Sequence, residues 1–157
     1  MSTDRSPCYL DDLAPGFVYR PDGEIGPITA EAITAYAREF DPQPFHLDHE
    51  AARATLFQGL AASGWHTASL TMQLIVRYGL PLAGGIVGGS IDELRWPRPV
   101  RPGDRLHIEN EVIDVRVSKS KPNQGLVKMK TITFNQDNEP VQVMTANLIV
   151  PRRRAGT

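Results

Sequence analysis

A chain of 157 residues, 41% apolar and 22% charged, is long enough for one domain with a real core and short for two. Lysine and arginine (17) nearly balance aspartate and glutamate (18), so the net charge of -1 gives no electrostatic reason to expect nucleic acid or an anionic membrane as partner. Cys8 is the single cysteine, which excludes an intrachain disulfide; the N-terminus lacks a signal-peptide layout and no apolar run approaches the ~20 residues of a membrane span, so a cytoplasmic setting is expected.

Residues 1–14 are polar and expected to be loose. Phe17-Val18-Tyr19 reads as a short strand before the turn Pro21-Asp22-Gly23. Thr29 is placed as the N-cap of a helix whose Ile33, Tyr36, Ala37 and Phe40 share one face, and Pro42 ends it. Asp48 is placed as the N-cap of a short helix through Ala51, Ala52 and Ala54, leading to Phe57 and a turn at Gly59. From about Trp65 to Tyr78 a longer helix carries Ala68, Leu70, Met72, Leu74, Ile75 and Val76 around its axis, with Arg77 near its end as its only fixed charge. Apolar nearly all round, it is expected to be the buried core helix.

After Gly79 the pattern turns to strands. Ile91–Trp96 is one, followed by a turn through Pro97, Pro99, Pro102 and Gly103. Leu106–Val117 is another; its apolar positions switch from even (Leu106, Ile108) to odd (Ile113, Val115, Val117), which requires a bulge or bend near Asn110–Val112. Leu126–Phe134 and Val141–Val150 read as a hairpin, and the tail Arg152-Arg153-Arg154 is expected to fray into solvent. Helices followed by antiparallel strands give an α+β fold, a curved sheet around a central helix, in one domain spanning 1–157 with a core of about 15–152.

The stretch Phe40–His66 concentrates the chemistry. Asp41 and His46 lie five residues apart on a segment stiffened by Pro42 and Pro44, as proton transfer between fixed groups needs. Downstream, Ala61-Ala62-Ser63-Gly64 opens the long helix, where free backbone N–H groups suit a developing oxyanion. Of the other histidines, His49 is expected to be exposed, His66 to be a packed core residue and His107 to lie on a strand's solvent face; none has metal-ligand spacing and no metal is expected. The glycines of residues 84–89 lack dinucleotide-loop spacing.

These residues resemble the MaoC-like dehydratases, a hot-dog fold family that includes the (R)-specific enoyl-CoA hydratases. The resemblance runs through Tyr36-Ala37, Phe40-Asp41-Pro42-Gln43-Pro44-Phe45-His46-Leu47-Asp48, Ala52, Phe57, Gly59 and Ala62-Ser63-Gly64, with Arg98-Pro99-Val100-Arg101-Pro102-Gly103-Asp104 further on. It implies a hydratase or dehydratase acting on an enoyl or 3-hydroxyacyl coenzyme A thioester. Asp41 and His46 would be the catalytic dyad around one water, and the Gly64 N–H the oxyanion donor. Ser63, Phe57 and Trp65 would meet the substrate. No cofactor beyond the substrate's own coenzyme A is implied, and the expected assembly is a homodimer or dimer of dimers, which also covers the open sheet edge. Two departures stand out: Gln43 where the family commonly has Asn, and Ser63 where it commonly has His. Ser63 is open to three readings: a bond to His46, a bond to substrate, or a helix cap. Lys119, Lys121 and Arg95 are either coenzyme A phosphate contacts or a solvated charged surface. A hot-dog thioesterase and a non-catalytic acyl-binding subunit are the competing functions.

Overall fold

A computed structural model describes residues 5–154 of the chain. Four helices, α1 (Ala30–Phe40), α2 (Pro44–Leu47), α3 (His49–Arg53) and α4 (Gly64–Tyr78), are followed by the long strands β2 (Gly88–Arg95), β3 (His107–Val117), β4 (Gln124–Phe134) and β5 (Pro140–Pro151). A two-residue β1 (Val18–Tyr19) precedes the helices. The pairings between these strands are antiparallel, and the sheet order is β1-β3-β4-β5-β2, so β1 and β2 are the edges. The sheet curves around α4, which is the hot-dog architecture.

Local chemistry sets the helix ends as the residue types require. The Thr29 hydroxyl accepts the Ala32 N–H at 3.0 Å and the Asp48 carboxylate accepts that of Ala51 at 2.8 Å, each satisfying a donor that has no partner within its helix. Ile33 and Ala37 are fully buried on the inner face of α1, whereas Phe40 is 63% exposed at its end. In β3 the register slips between Val112 and Asp114; Ile113 is the extra residue, so the bulge lies one position beyond the expected bend. The hairpin between β4 and β5 forms as the pattern predicts.

Two apolar clusters make up the core, and Ile86 packs against both. Leu74, Ile75, Leu60, Ile108 and Val141 fill one, and Leu80, Val112, Val127, Leu148 and Val150 the other. Buried polar side chains pair across elements: Thr71 of α4 with Thr133 (2.7 Å), Asn110 with Thr131 (2.8 Å), and Trp96, just past β2, with Gln142 (2.9 Å). A buried hydroxyl or amide is costly unless so paired.

Three expectations are corrected. α4 is not buried all round: Trp65 (60%), Met72 (42%) and Val76 (64%) are exposed apolar residues along one face, because the single sheet covers only one side of the helix. The described part of the N-terminal segment is not loose. Cys8 bridges to Leu82, and Leu10 and Leu13 are buried in the second cluster. Nor does the basic tail simply fray: Arg152 pairs with Asp11 at 2.9 Å, and Arg153 pairs with Asp12 at 2.6 Å and lies over the Tyr9 ring. Polarity of each segment alone concealed this, because each supplies the partner the other lacks.

Candidate active site

Asp41 is the first residue past α1, and its non-helical backbone, forced by Pro42, turns its carboxylate toward the start of α4. Pro44 begins α2 and places His46 two residues on, with its ring 6% exposed. The two side chains meet with His46 Nε2 3.3 Å from Asp41 Oδ2. His46 Nδ1 lies 2.6 Å from the carbonyl oxygen of Ala61. A carbonyl only accepts, so Nδ1 carries the hydrogen and Nε2 is left turned toward Asp41. When Nε2 carries no hydrogen, a water beside the pair can donate one O–H to Nε2 and one to the carboxylate, which leaves its oxygen lone pairs facing outward as a nucleophile.

Ser63 is fully buried, and its hydroxyl donates to Asp41 Oδ2 at 2.7 Å while accepting the Trp65 N–H at 3.3 Å. It is therefore both the cap of α4 and a holder of Asp41, and it does not bond to His46. Gln43 Nε2 donates to the other carboxylate oxygen at 2.5 Å, so the amide that departs from the family pattern still reaches this group. Burial pushes the Asp41 carboxyl up. The hydrogen bonds from Ser63 and Gln43 and the neighbouring His46 outweigh burial and hold the pKa below the ordinary carboxylate value.

His46 opens onto a cleft of about 530 Å³ lined by Phe57, Gly64, Thr67, Trp96, Arg98 and Arg101 among others. Gly64 is the first residue of α4, so its N–H has no carbonyl partner within the helix. The Trp96 indole lies flat against its α-carbon, where a Cβ would come within 2.7 Å of the ring. Phe57 lines the cleft as expected and packs on Phe45 (5.0 Å) and His46 (5.9 Å between ring centroids). Trp65 does not line the cleft: it is exposed and meets the cleft residue Trp96 edge-on at 5.5 Å.

Arg95, Lys119 and Lys121 are exposed and none lines this cleft; the basic residues that do are Arg98 and Arg101. His49 is exposed. His66 is buried and stacked on Tyr36 at 4.6 Å, but its Nδ1 has no hydrogen-bond partner, and burial lowers its pKa. His107 is half-buried and stacked on Phe134. Among the described residues no three His, Cys, Asp or Glu side chains cluster as metal ligands, and no helix is long and apolar enough to cross a membrane.

Sequence reasoning passed over Trp96, Gln142 and Arg101. Trp96 forms the wall beside Gly64, Gln142 anchors that indole, and Arg101 bonds the backbone in front of His46. Arg101 stood inside a recognisable turn motif; Trp96 and Gln142 gave no local signal at all.

A curved sheet around a helix whose N-terminus faces an Asp–His pair defines a hot-dog protein of the hydratase and dehydratase kind. The chain belongs to the MaoC-like dehydratases: residues 20–134 match the MaoC like domain family. It is 52% identical to a MaoC-like dehydratase from Rhodospirillum rubrum, over 94% of this chain and 99% of that one, with a TM-score of 0.89. It is 28% identical to the unliganded R-hydratase PhaJ1 from Pseudomonas aeruginosa, over 92% of this chain and 86% of that one, with a TM-score of 0.69. The uncharacterized protein YdeM of Bacillus subtilis is 29% identical over 145 residues, 92% of this chain and 99% of its own length.

Proposed function

We infer that this domain hydrates a trans-2-enoyl-CoA to the 3-hydroxyacyl-CoA and catalyses the reverse dehydration. The observation that carries the reading is the 3.3 Å approach of Asp41 Oδ2 to His46 Nε2, with Nδ1 already committed to the Ala61 carbonyl. In the forward direction a water held by both groups gives its proton to the pair, and its oxygen bonds to the β-carbon. The π electrons move to the thioester oxygen, where the Gly64 N–H stabilises the enolate. A donor in that role is worth about 3–4 kcal/mol of barrier. The α-carbon then takes the proton back from the pair, so atoms and charge balance without a cofactor.

The apolar cleft walls, Phe57, Leu56 and Trp96, suit an acyl thioester. We also propose that the protein assembles as a homodimer, or a dimer of dimers. β2 is an open edge, and Val87 just before it and Ile91 within it, with Trp65, Met72 and Val76 on α4, leave large apolar side chains in water. The chemistry and the lone Cys8 fit a reducing, cytoplasmic setting.

The test is loss of enoyl-thioester absorbance with trans-2-enoyl-CoAs of short, long and branched chain, run beside Asp41→Asn and His46→Gln. Both variants should remain folded and lose at least about 100-fold in kcat. Free thiol released in place of hydration would assign a thioesterase. Activity that survives both substitutions would remove the dyad from the mechanism, and silence of the wild type across the panel would refute the enoyl-CoA reading.

A further inference from the structure

The connection between α3 and α4 (residues 54–63) does more for His46 than offer one acceptor. Ala61 grips the α2 turn twice: its N–H donates to the Phe45 carbonyl at 3.1 Å, and its own carbonyl accepts the His46 Nδ1–H at 2.6 Å. Yet most of this connection is irregular backbone, with Gln58 in the left-handed region at φ 57°. Irregular backbone has no ladder of its own to fix it, so something else must hold Ala61.

Arg101 does so. Its guanidinium donates to the carbonyls of Gly59 (2.9 Å), Leu60 (3.2 Å) and Phe57. The Leu60 carbonyl and the Ala61 N–H belong to one peptide unit. A charged donor at the carbonyl end therefore polarises the N–H that grips Phe45. Arg101 is itself fixed, since its N–H donates to Asp104 Oδ2 at 2.8 Å and its neighbour Val100 accepts the Ala62 N–H at 2.9 Å. Among the described residues no carboxylate pairs with this guanidinium, whereas Arg98, on the same cleft, pairs with Glu139 at 2.8 Å. The Arg101 fork is spent on backbone oxygens, a geometry that the point charge of lysine cannot reproduce.

We propose that Arg101 is a positioning residue. Through Leu60 and Ala61 it keeps His46 in the Nδ1–H tautomer with Nε2 turned to Asp41. This rests on the reading of Asp41 and His46 as the reacting pair, but it is tested separately. The side-chain 15N signals of His46, assigned by their loss in His46→Gln, report the tautomer without any turnover. Wild type should show Nδ1–H alone. Arg101→Lys should show a mixture, with kcat lowered about ten- to hundred-fold and KM within about twofold, as expected when a reacting group is misplaced rather than substrate binding lost.

Arg98→Gln removes a positive charge from the same cleft and should leave the tautomer unchanged. Gly59→Ala, whose Cβ would meet Arg101 Nη1 at 3.4 Å, perturbs the clamp from the loop side and should shift the tautomer as Arg101→Lys does, which keeps the test open if Arg101→Lys folds poorly. An unchanged tautomer in both Arg101→Lys and Gly59→Ala overturns the proposal, as does a rise in KM with kcat intact. A tautomer shifted in both Arg101→Lys and Gly59→Ala, where the wild type shows Nδ1–H alone but hydrates nothing, would sink the enoyl-CoA reading and leave the positioning role standing.

Discussion

A methyl group added at Gly64 strikes the point where the helix start, the cleft wall and the sheet meet. Its Cβ would lie 2.7 Å from Cδ2 and Cε2 of Trp96 and 2.8 Å from Cε3. Carbon contacts settle at about 3.5–4.0 Å, so the indole must retreat by about 1 Å. It cannot do so freely, because its Nε1–H is bonded at 2.9 Å to Gln142, which is fully buried, and Trp65 packs edge-on against it. Overpacking of this kind costs about 1–3 kcal/mol, and a stretched hydrogen bond adds about 1 kcal/mol. The better helix propensity of alanine returns at most about 1 kcal/mol. Gly64→Ala should thus lose about 1–3 kcal/mol net, or roughly 2–12 °C in Tm at about 2–4 °C per kcal/mol for a chain of this size. The assay is a double-mutant cycle by thermal unfolding with Trp96→Ala, in which Gly64→Ala should become neutral or stabilising. The reasoning is refuted if Gly64→Ala costs as much without the indole as with it.

Two further outcomes are expected. Ser63→Ala removes a bond to the charged form of Asp41, so the carboxyl pKa rises toward its ordinary value and the acid limb of the rate profile moves to higher pH. A depressed carboxyl pKa gives stability that is present above the unfolded value of about 3.9 and lost as pH falls through the folded value. The Tm gap between wild type and Ser63→Ala should therefore narrow on acidification below that range, and a constant gap would mean that only the helix cap was lost. Met72→Glu with Val76→Glu puts charge on the exposed stripe of α4; light scattering should then show a monomer where a dimer is expected of the wild type, and an unchanged mass would place the contact elsewhere.

What could be read in advance was local. Thr29 and Asp48 announced their helices because a cap acts within three residues, and the phase switch in β3 announced its bulge because side chains alternate within one strand. The approach of Asp41 to His46 was legible because prolines fix the short segment between them. Relations across long separations were not. Ser63 is 22 residues from Asp41, Trp96 is 46 from Gln142 and Arg101 is 42 from Gly59, and nothing in the neighbourhood of each residue names its partner. The tautomer of His46 was closed to sequence for another reason: its partner is a backbone carbonyl, which every residue has. The exposed stripe of α4 was misread because composition tells how apolar a helix is but not how many sides the sheet covers.

The position of β5 has a kinetic consequence. Among the described residues it is the last strand, yet it lies inside the sheet and is the one strand that pairs with β2. During synthesis, α4 and β2 are complete long before β5 exists, so β2 has no ladder to join and Trp96 has no Gln142 to anchor it. The dyad segment can form its local turns early, but the wall beside Gly64 closes only when residues 140–151 arrive. Folding that must wait for such distant pairing is slow and leaves apolar surface uncovered meanwhile. Substitutions in β5 far from the dyad should therefore act first on the yield of folded protein, and only then on its turnover.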